Sequence, residues 1–322
     1  MNVMEKVLKE KIDPALTVGN LSALGSRALG RQVEAVEASV LTGGCWNRVI
    51  AVSFHDEPEE LVFKISPQER NAGIEREYAV LSFFTEDTDM PVPTPRLLDA
   101  SGRIIPGTVL VMDRIPGRVL HHLYGLLGRT QRDAVSEQLG HFVGRLHQNR
   151  SRGFGGVELA PHERQTAWAD FWLPRFDNVM REMTETDLLP PSFLEEVTRV
   201  RSRFPALLDI GAESTLTHYD IWSGNVMVNP NGSSAQITGF IDVPGHWADY
   251  ARELSFMEMF GTADRRFYEV YAGYHALDEG FSVRKNVYNL KMHLKHISMY
   301  PDQSYYRQGA RACLTYIQRF GA

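Results

Sequence analysis

The chain has 322 residues, 34 Lys and Arg against 40 Asp and Glu, and a formal net charge of −6. Its 43% hydrophobic, 23% charged and 10% aromatic residues exclude a disordered, collagen-like or coiled-coil chain and supply a sizeable core. Mild acidity speaks against a nucleic-acid partner, and two cysteines, Cys45 and Cys313, are too few for a disulfide framework or a zinc site. No run approaches ~18 apolar residues, so no membrane span is expected. The N-terminus is charged from Glu5 onward and lacks the apolar stretch of a secretory signal, so a soluble cytoplasmic protein is expected.

Residues 1–30 read as short helices: Val3, Met4, Val7 and Leu8 recur at helical spacing until Pro14 interrupts them. From Val33 the period becomes that of strands. Val40-Leu41, Val49–Val52 and Leu61–Phe63 are β-type runs, the first two separated by Gly43-Gly44 and the last two by the polar turn 55–60. A helix is predicted over about 73–85, and the prolines at 91, 93 and 95 lead to a strand pair around 103–114. Beyond Pro116-Gly117 the pattern turns helical. Val135, Leu139, Phe142, Val143 and Leu146 form one apolar stripe, and further helices are predicted near 165–186 and 191–208, with the basic run 199–203 as a solvated face. Short strands at 214–217 and 227–229, a turn at Pro230-Asn231-Gly232 and a strand at 237–242 precede a helical tail from about 249 to 320. The expected fold class is α+β, with a small β-rich region, 1–115, followed by a larger helical region, 116–322.

Chemistry concentrates in LTHYDIWSGNVMV, residues 216–228. It carries His218, Asp220 and, five residues on, Asn225; Asp242 then closes the apolar run Ile237–Ile241. Phosphoryl transfer needs a carboxylate to orient the attacking hydroxyl and take its proton, and an amide and a carboxylate oxygen to hold Mg²⁺ on the nucleotide phosphates. An H-x-D-x-x-x-x-N loop followed by an aspartate after a hairpin supplies that set. Upstream, Lys64 lies in the strand LVFKIS, where a half-buried lysine is costly unless paired. The helix NAGIEREYAVLSFF offers Glu75 and Glu77; Glu77 shares a face with Ile74, Leu81 and Phe84, so it is the expected partner. Gly43-Gly44, about 20 residues before Lys64, suits a backbone that approaches phosphates closely. The strand 109–112 runs into Asp113-Arg114-Ile115-Pro116-Gly117, where an adenine would bond the main chain of Asp113 and Ile115.

These residues resemble the aminoglycoside-phosphotransferase and choline-kinase-like superfamily, and within it the fructosamine (ketosamine) kinases, over roughly 33–320. The resemblance rests on Gly43-Gly44-x-x-Asn47, Lys64, Glu77, VMDRIPG (111–117), Gly144-Arg145-Leu146-His147, the loop Asp220-Ile221-Trp222-Ser223-Gly224-Asn225, Asp242 and the helix from Glu253. It implies a two-lobed protein-kinase-like fold and ATP-dependent phosphorylation of a small-molecule hydroxyl, as on an amine-bearing sugar. It further implies Asp220 as catalytic base with His218 bracing the loop, Asn225 and Asp242 as Mg²⁺ ligands, and Gly43, Gly44, Asn47, Lys64 and Glu77 around the nucleotide. Tyr219 stands where the family usually has Gly, Val243-Pro244 follows Asp242 in place of Phe-Gly, and Glu253 replaces an Asp.

The short interval between Asp242 and the helix near Arg252 leaves no room for the activation segment of a protein kinase. A nucleotide-binding regulator without turnover and a kinase of a non-sugar amino alcohol are the alternatives. Asp249, Glu253, Glu258 and Asp302 are candidate contacts for a cationic amine. The partner expected is a small hydroxylated molecule, with the protein a monomer or homodimer.

Overall fold

In a computed structural model, residues 16–41, 47–58, 60–67 and 71–321 are described. The glycine pair Gly43-Gly44, Cys45 and the predicted helices before Leu16 lie outside them. The chain divides into two compact units, residues 1–117 with 238–243, and residues 118–237 with 244–322.

The first unit opens with α1, Val18–Leu29, whose N-terminus is capped by the Thr17 hydroxyl accepting from the Asn20 amide at 3.1 Å. It ends at Gly30, in the left-handed region at φ 68°. A five-stranded antiparallel sheet follows in the order β1 (Ala35–Val40), β2 (Arg48–Phe54), β3 (Leu61–Ser66), β5 (Thr108–Asp113), β4 (Pro95–Asp99). Ile50, Val52, Phe63, Val109 and Val111 are buried against Leu21 and Leu24 of α1, and this packing makes the sheet's core. Gly25 is needed there, because a Cβ would stand 2.3 Å from the Phe54 ring. Helix α2, Asn71–Asp87, buries Ile74, Val80, Leu81 and Phe84. Of the strand pair expected around 103–114 only β5 falls there; its partner β4 lies earlier, at Pro95–Asp99, where a proline-rich connection was expected. Pro95 opens β4, and the stretch containing Gly102 (φ 63°) and Gly107 (φ 99°) is the connection between them. A side chain at 107 would meet the Ser66 carbonyl at 2.1 Å.

The second unit is mostly helical. After β6 (Arg118–Val119) and α3 (Leu120–Leu123), α4 (Arg129–Leu146) buries Val135, Leu139, Val143 and Leu146, the stripe read from its spacing. Strands β7 (Arg150–Arg152), β8 (Gly155–Gly156), β9 (Glu213–Thr217) and β12 (His246–Ala248) make a small antiparallel sheet in the order β7-β9-β12-β8. Between them lie α5 (Trp168–Thr184), α6 (Pro191–Arg201) and α7 (Phe204–Leu207), with Trp172 stacked on Phe176 at a centroid distance of 5.5 Å and Phe176 meeting Phe204 edge to face at 5.1 Å. The hairpin β10 (Val226–Asn231) and β11 (Ser234–Phe240) turns at Gly232, φ 56°. Helices α8 (Tyr250–Met259), α9 (Arg265–Tyr271), α10 (Phe281–Met299) and α11 (Ser304–Phe320) complete the chain. Gly140 and Gly144 let α4 approach its neighbours; a Cβ there would meet Val270 at 2.8 Å and the Tyr274 ring at 2.4 Å.

Candidate active site

In the first unit, Lys64 is placed by register. It sits in β3, flanked by Val49 of β2 and Leu110 of β5, so its stem is held between strands. Its ammonium lies 2.8 Å from Glu77 of α2 and 3.1 Å from Asp242, with the Lys64 and Glu77 side chains only 13% and 16% exposed. Glu77 is therefore the helix carboxylate that turns inward, as its face predicts. Burial alone would lower the Lys64 pKa, but the charges of Glu77 and then Asp242 outweigh it and hold the ammonium above its ordinary value. Asp242 follows β11, in the left-handed region at φ 52°. Its backbone is fixed by neighbours in the same unit: the Phe240 amide donates to the Pro91 carbonyl at 2.8 Å and the Thr238 hydroxyl to the Pro116 carbonyl at 2.5 Å. A buried lysine fixed between two carboxylates presents a compact cation for phosphate oxygens.

Asp113 ends β5, its carboxylate gripped by both Arg96 donors at 2.7 Å, and its amide donates to the Thr94 carbonyl at 2.9 Å. That amide is spent inside the sheet. Ile115 is half-buried beside Gly239, and Asn47 directly precedes β2.

In the second unit, β9 delivers His218, Tyr219 and Asp220. His218 is fully buried and its Nδ1 accepts the Asp220 amide at 3.2 Å. The Asn225 amide nitrogen donates to the Asp220 carboxylate at 2.9 Å and to its carbonyl at 3.0 Å, fixing the carboxylate and turning the Asn225 oxygen to the opposite side. Tyr219 adopts φ 81°, and with Asp56 and Asp242 is one of the three non-glycine residues in that region among those described. Such backbone persists only where its surroundings over-determine it. Two adjacent residues of α8 do so: Glu253 accepts the Tyr219 amide at 2.5 Å, and the Arg252 guanidinium donates to the Tyr219 carbonyl.

Glu253 is wholly buried, and its other oxygen takes His147 Nε2 at 2.8 Å; His147 Nδ1 faces the Tyr271 hydroxyl at 2.8 Å. Burial works to raise the Glu253 pKa, but the His147 hydrogen bond and charge prevail and hold it below the ordinary carboxylate value. Burial also pushes the Tyr271 hydroxyl well above its usual range, so it stays protonated. The loop thus has a buried support running Tyr271, His147, Glu253, Tyr219 amide. The sequence marks His147 as a point of likeness and Glu253 as a departure and a candidate amine contact, but nothing in a linear pattern pairs residues 106 apart.

Residues 18–319 match the fructosamine kinase family. This chain belongs to it. Among relatives of the family member, ketosamine-3-kinase of Mus musculus is 25% identical over 277 residues, 79% of this chain and 86% of the mouse protein. A ketoamine kinase assignment in Vibrio vulnificus is 25% identical over 145 residues, 45% of this chain and 48% of the relative, and one in Staphylococcus aureus is 27% identical over 181 residues, 51% and 61%. The matched stretch thus spans about half the length of several curated relatives. A Thermobifida fusca structure assigned as a fructosamine-3-kinase superposes with a TM-score of 0.72 at 19% identity, covering 94% of this chain and 100% of that one. The GDP and kanamycin complex of APH(2")-IIia follows at 0.65 and 14%, covering 94% and 100%. At these identities the likeness shows the fold, the kinase-like α+β fold expected from the sequence.

Within this fructosamine kinase family member, the carboxylates expected to meet an amine prove otherwise occupied. Asp249 is buried, caps α8 through the Ala251 amide at 3.0 Å, and takes Arg284 at 2.7 Å and the Tyr288 hydroxyl at 2.5 Å. Glu253 supports the loop, and Glu258 pairs with Lys285 at 2.7 Å. A helix-capping aspartate and a core glutamate look the same in sequence as surface carboxylates. Of that set, Asp302 is exposed.

Proposed function

We propose that this protein transfers the γ-phosphoryl group of Mg·ATP to a hydroxyl of a ketosamine-type small molecule. The observation that carries this reading is the Asp220 carboxylate, oriented by Asn225 and reached through a Tyr219 peptide clamped at both ends. Asp220 accepts the hydroxyl proton as the acceptor oxygen attacks phosphorus, and the β–γ bridging bond of ATP breaks to release ADP. Lys64, kept charged by Glu77, neutralises α- and β-phosphate oxygens; Gly43, Gly44 and Asn47 line the phosphates, and Asp113 and Ile115 meet the adenine through the main chain. His218 braces the loop by accepting the Asp220 amide.

Asn225 and Asp242 supply an amide and a carboxylate oxygen, a hard donor pair that fits Mg²⁺, which takes few protein ligands and completes its shell with water and phosphate. The bound ion supplies neutralisation of the phosphate charge. A small acceptor, not a protein, is favoured because residues 243–249 alone separate Asp242 from α8, and β12 takes three of them.

The test incubates the purified protein with Mg·ATP and a panel of fructosamines, aminoglycosides, amino sugars and amino alcohols, with product read by mass spectrometry. A phosphorylated product that Asp220→Asn loses, with nucleotide binding retained, is expected. Near-normal turnover in that variant would sink the assignment, and ATP binding without product on any acceptor favours a regulator without turnover. Asp242→Ala is expected to abolish the metal-dependent part of nucleotide affinity, measured by titration with and without Mg²⁺.

A further inference from the structure

Tyr219 joins an unfavourable backbone to a firmly held side chain. At φ 81° it occupies the region that glycine enters freely and other residues enter at a cost. The Arg252 guanidinium carbon lies 3.7 Å from the centroid of its ring, and the His246 ring lies 4.1 Å away with 30° between the planes. Groups that close to a centroid stand over a ring face and not at its edge. Both partners are themselves fixed. Arg252 donates to the Tyr219 carbonyl and reaches the Phe256 ring at 5.1 Å. His246 pairs with Thr217 between β12 and β9, its carbonyl accepts the Thr217 hydroxyl at 2.9 Å, and Phe171 meets its ring edge to face at 5.6 Å.

These ring contacts add what the main-chain hydrogen bonds cannot. Glu253 and Arg252 hold the N–H and C=O of residue 219, groups that glycine would offer equally well. Two anchors either side of one Cα leave it free to turn between them. A third anchor on the side chain fixes the direction of its Cβ and removes that freedom, and so sets the peptide that leads into Asp220. Strained backbone persists where the surroundings over-determine it, and a reacting group held in place beforehand has less order to gain during the reaction.

We infer that the Tyr219 ring, packed against Arg252 and His246, positions the Asp220 carboxylate, and that this packing outweighs the relief of strain glycine would bring at φ 81°. Tyr219 and His246 are thus positioning residues that act through Asp220. The inference deepens the phosphoryl-transfer reading and rests on it for the role of Asp220.

Tyr219→Gly separates the two effects, because it removes the strain and the ring together. Were strain alone at work, this variant would turn over at least as fast as the wild type. The ring contacts predict instead that kcat falls by at least about tenfold, the scale of a small misplacement of a reacting group, with KM for the acceptor and affinity for Mg·ATP unchanged. Tyr219→Phe, which keeps the ring face, should restore the rate. His246→Ala should lower kcat alone but add little to Tyr219→Gly, since both remove one contact. Amide hydrogen exchange gives a readout without turnover: the Asp220 amide should lose protection in Tyr219→Gly and keep it in Tyr219→Phe. Should Tyr219→Gly not fold, His246→Ala against His246→Phe carries the same comparison. Wild-type kcat in Tyr219→Gly or His246→Ala, or undiminished protection of the Asp220 amide in them, overturns the inference. If the wild type phosphorylates no acceptor, the kinase reading fails, while amide protection still decides whether the ring holds the loop.

Discussion

Lys64 and Lys291 are the same side chain in opposite electrostatic settings. Lys64 sits in a β-sheet between two carboxylates, and its ammonium is held above the ordinary value. Lys291 sits on a helix near two guanidiniums and is pushed down to about 8. The first site neutralises its cation from within, so the fold is stabilised by having it. The second is dominated by burial and by like charges that Glu182 does not offset, so the fold is stabilised by losing it.

The sharpest way to break this contrast is to make the same substitution twice. Lys64→Met strands Glu77 beside Asp242 and should lower turnover roughly a hundredfold or more, with unfolding free energy falling by about 3 kcal/mol in denaturant titration. Glu253→Gln, which sets an amide against either the Tyr219 N–H or the His147 N–H, should cost about 1–3 kcal/mol and reduce kcat with nucleotide affinity preserved. Lys291→Met should do the reverse of Lys64→Met and raise stability, by an amount on the order of 1 kcal/mol.

A pH slope tests the same lysine without removing it. The folded Lys291 binds its proton more weakly than the unfolded one, so the penalty is fully present below about pH 8 and is relieved as pH rises toward the ordinary lysine value of 10.5. Stability of the native protein should therefore gain over that of Lys291→Met across this window, measured as the difference between two pH series. Equal slopes would show that Lys291 is not strained by its neighbours.

Much of the site was readable because local periodicity carries it. Glu77 was separable from Glu75 by helical face alone, and four of the five stripe residues of α4 are buried, Phe142 being half-buried. The short strands β6, β7, β8 and β12 were not predicted, since two or three residues are too few to display an alternation. The predicted helix near 191–208 is interrupted: α6 stops at Arg201 and α7 begins at Phe204. The basic run there is less solvated than expected, because Val200 is buried and Arg201 grips Asp177 at 2.7 and 2.8 Å. The His147–Glu253 support and the Arg252–Tyr219–His246 contacts join distant segments through burial and ring packing, which leave no spacing to read.

The division of the chain has a consequence for synthesis. Residues 238–243 belong to the first unit, yet they are translated after more than a hundred residues of the second. The sheet can gather as soon as β5 leaves the ribosome, but the Pro91 carbonyl, the Pro116 carbonyl and the Lys64 ammonium wait for Phe240, Thr238 and Asp242. Closing so long a loop is slow. A fragment ending at Gly117 should collapse with a Lys64–Glu77 pair but without its second carboxylate. The nascent chain thus acquires its nucleotide-handling lysine in finished form only when the segment bearing Asp242 has been made.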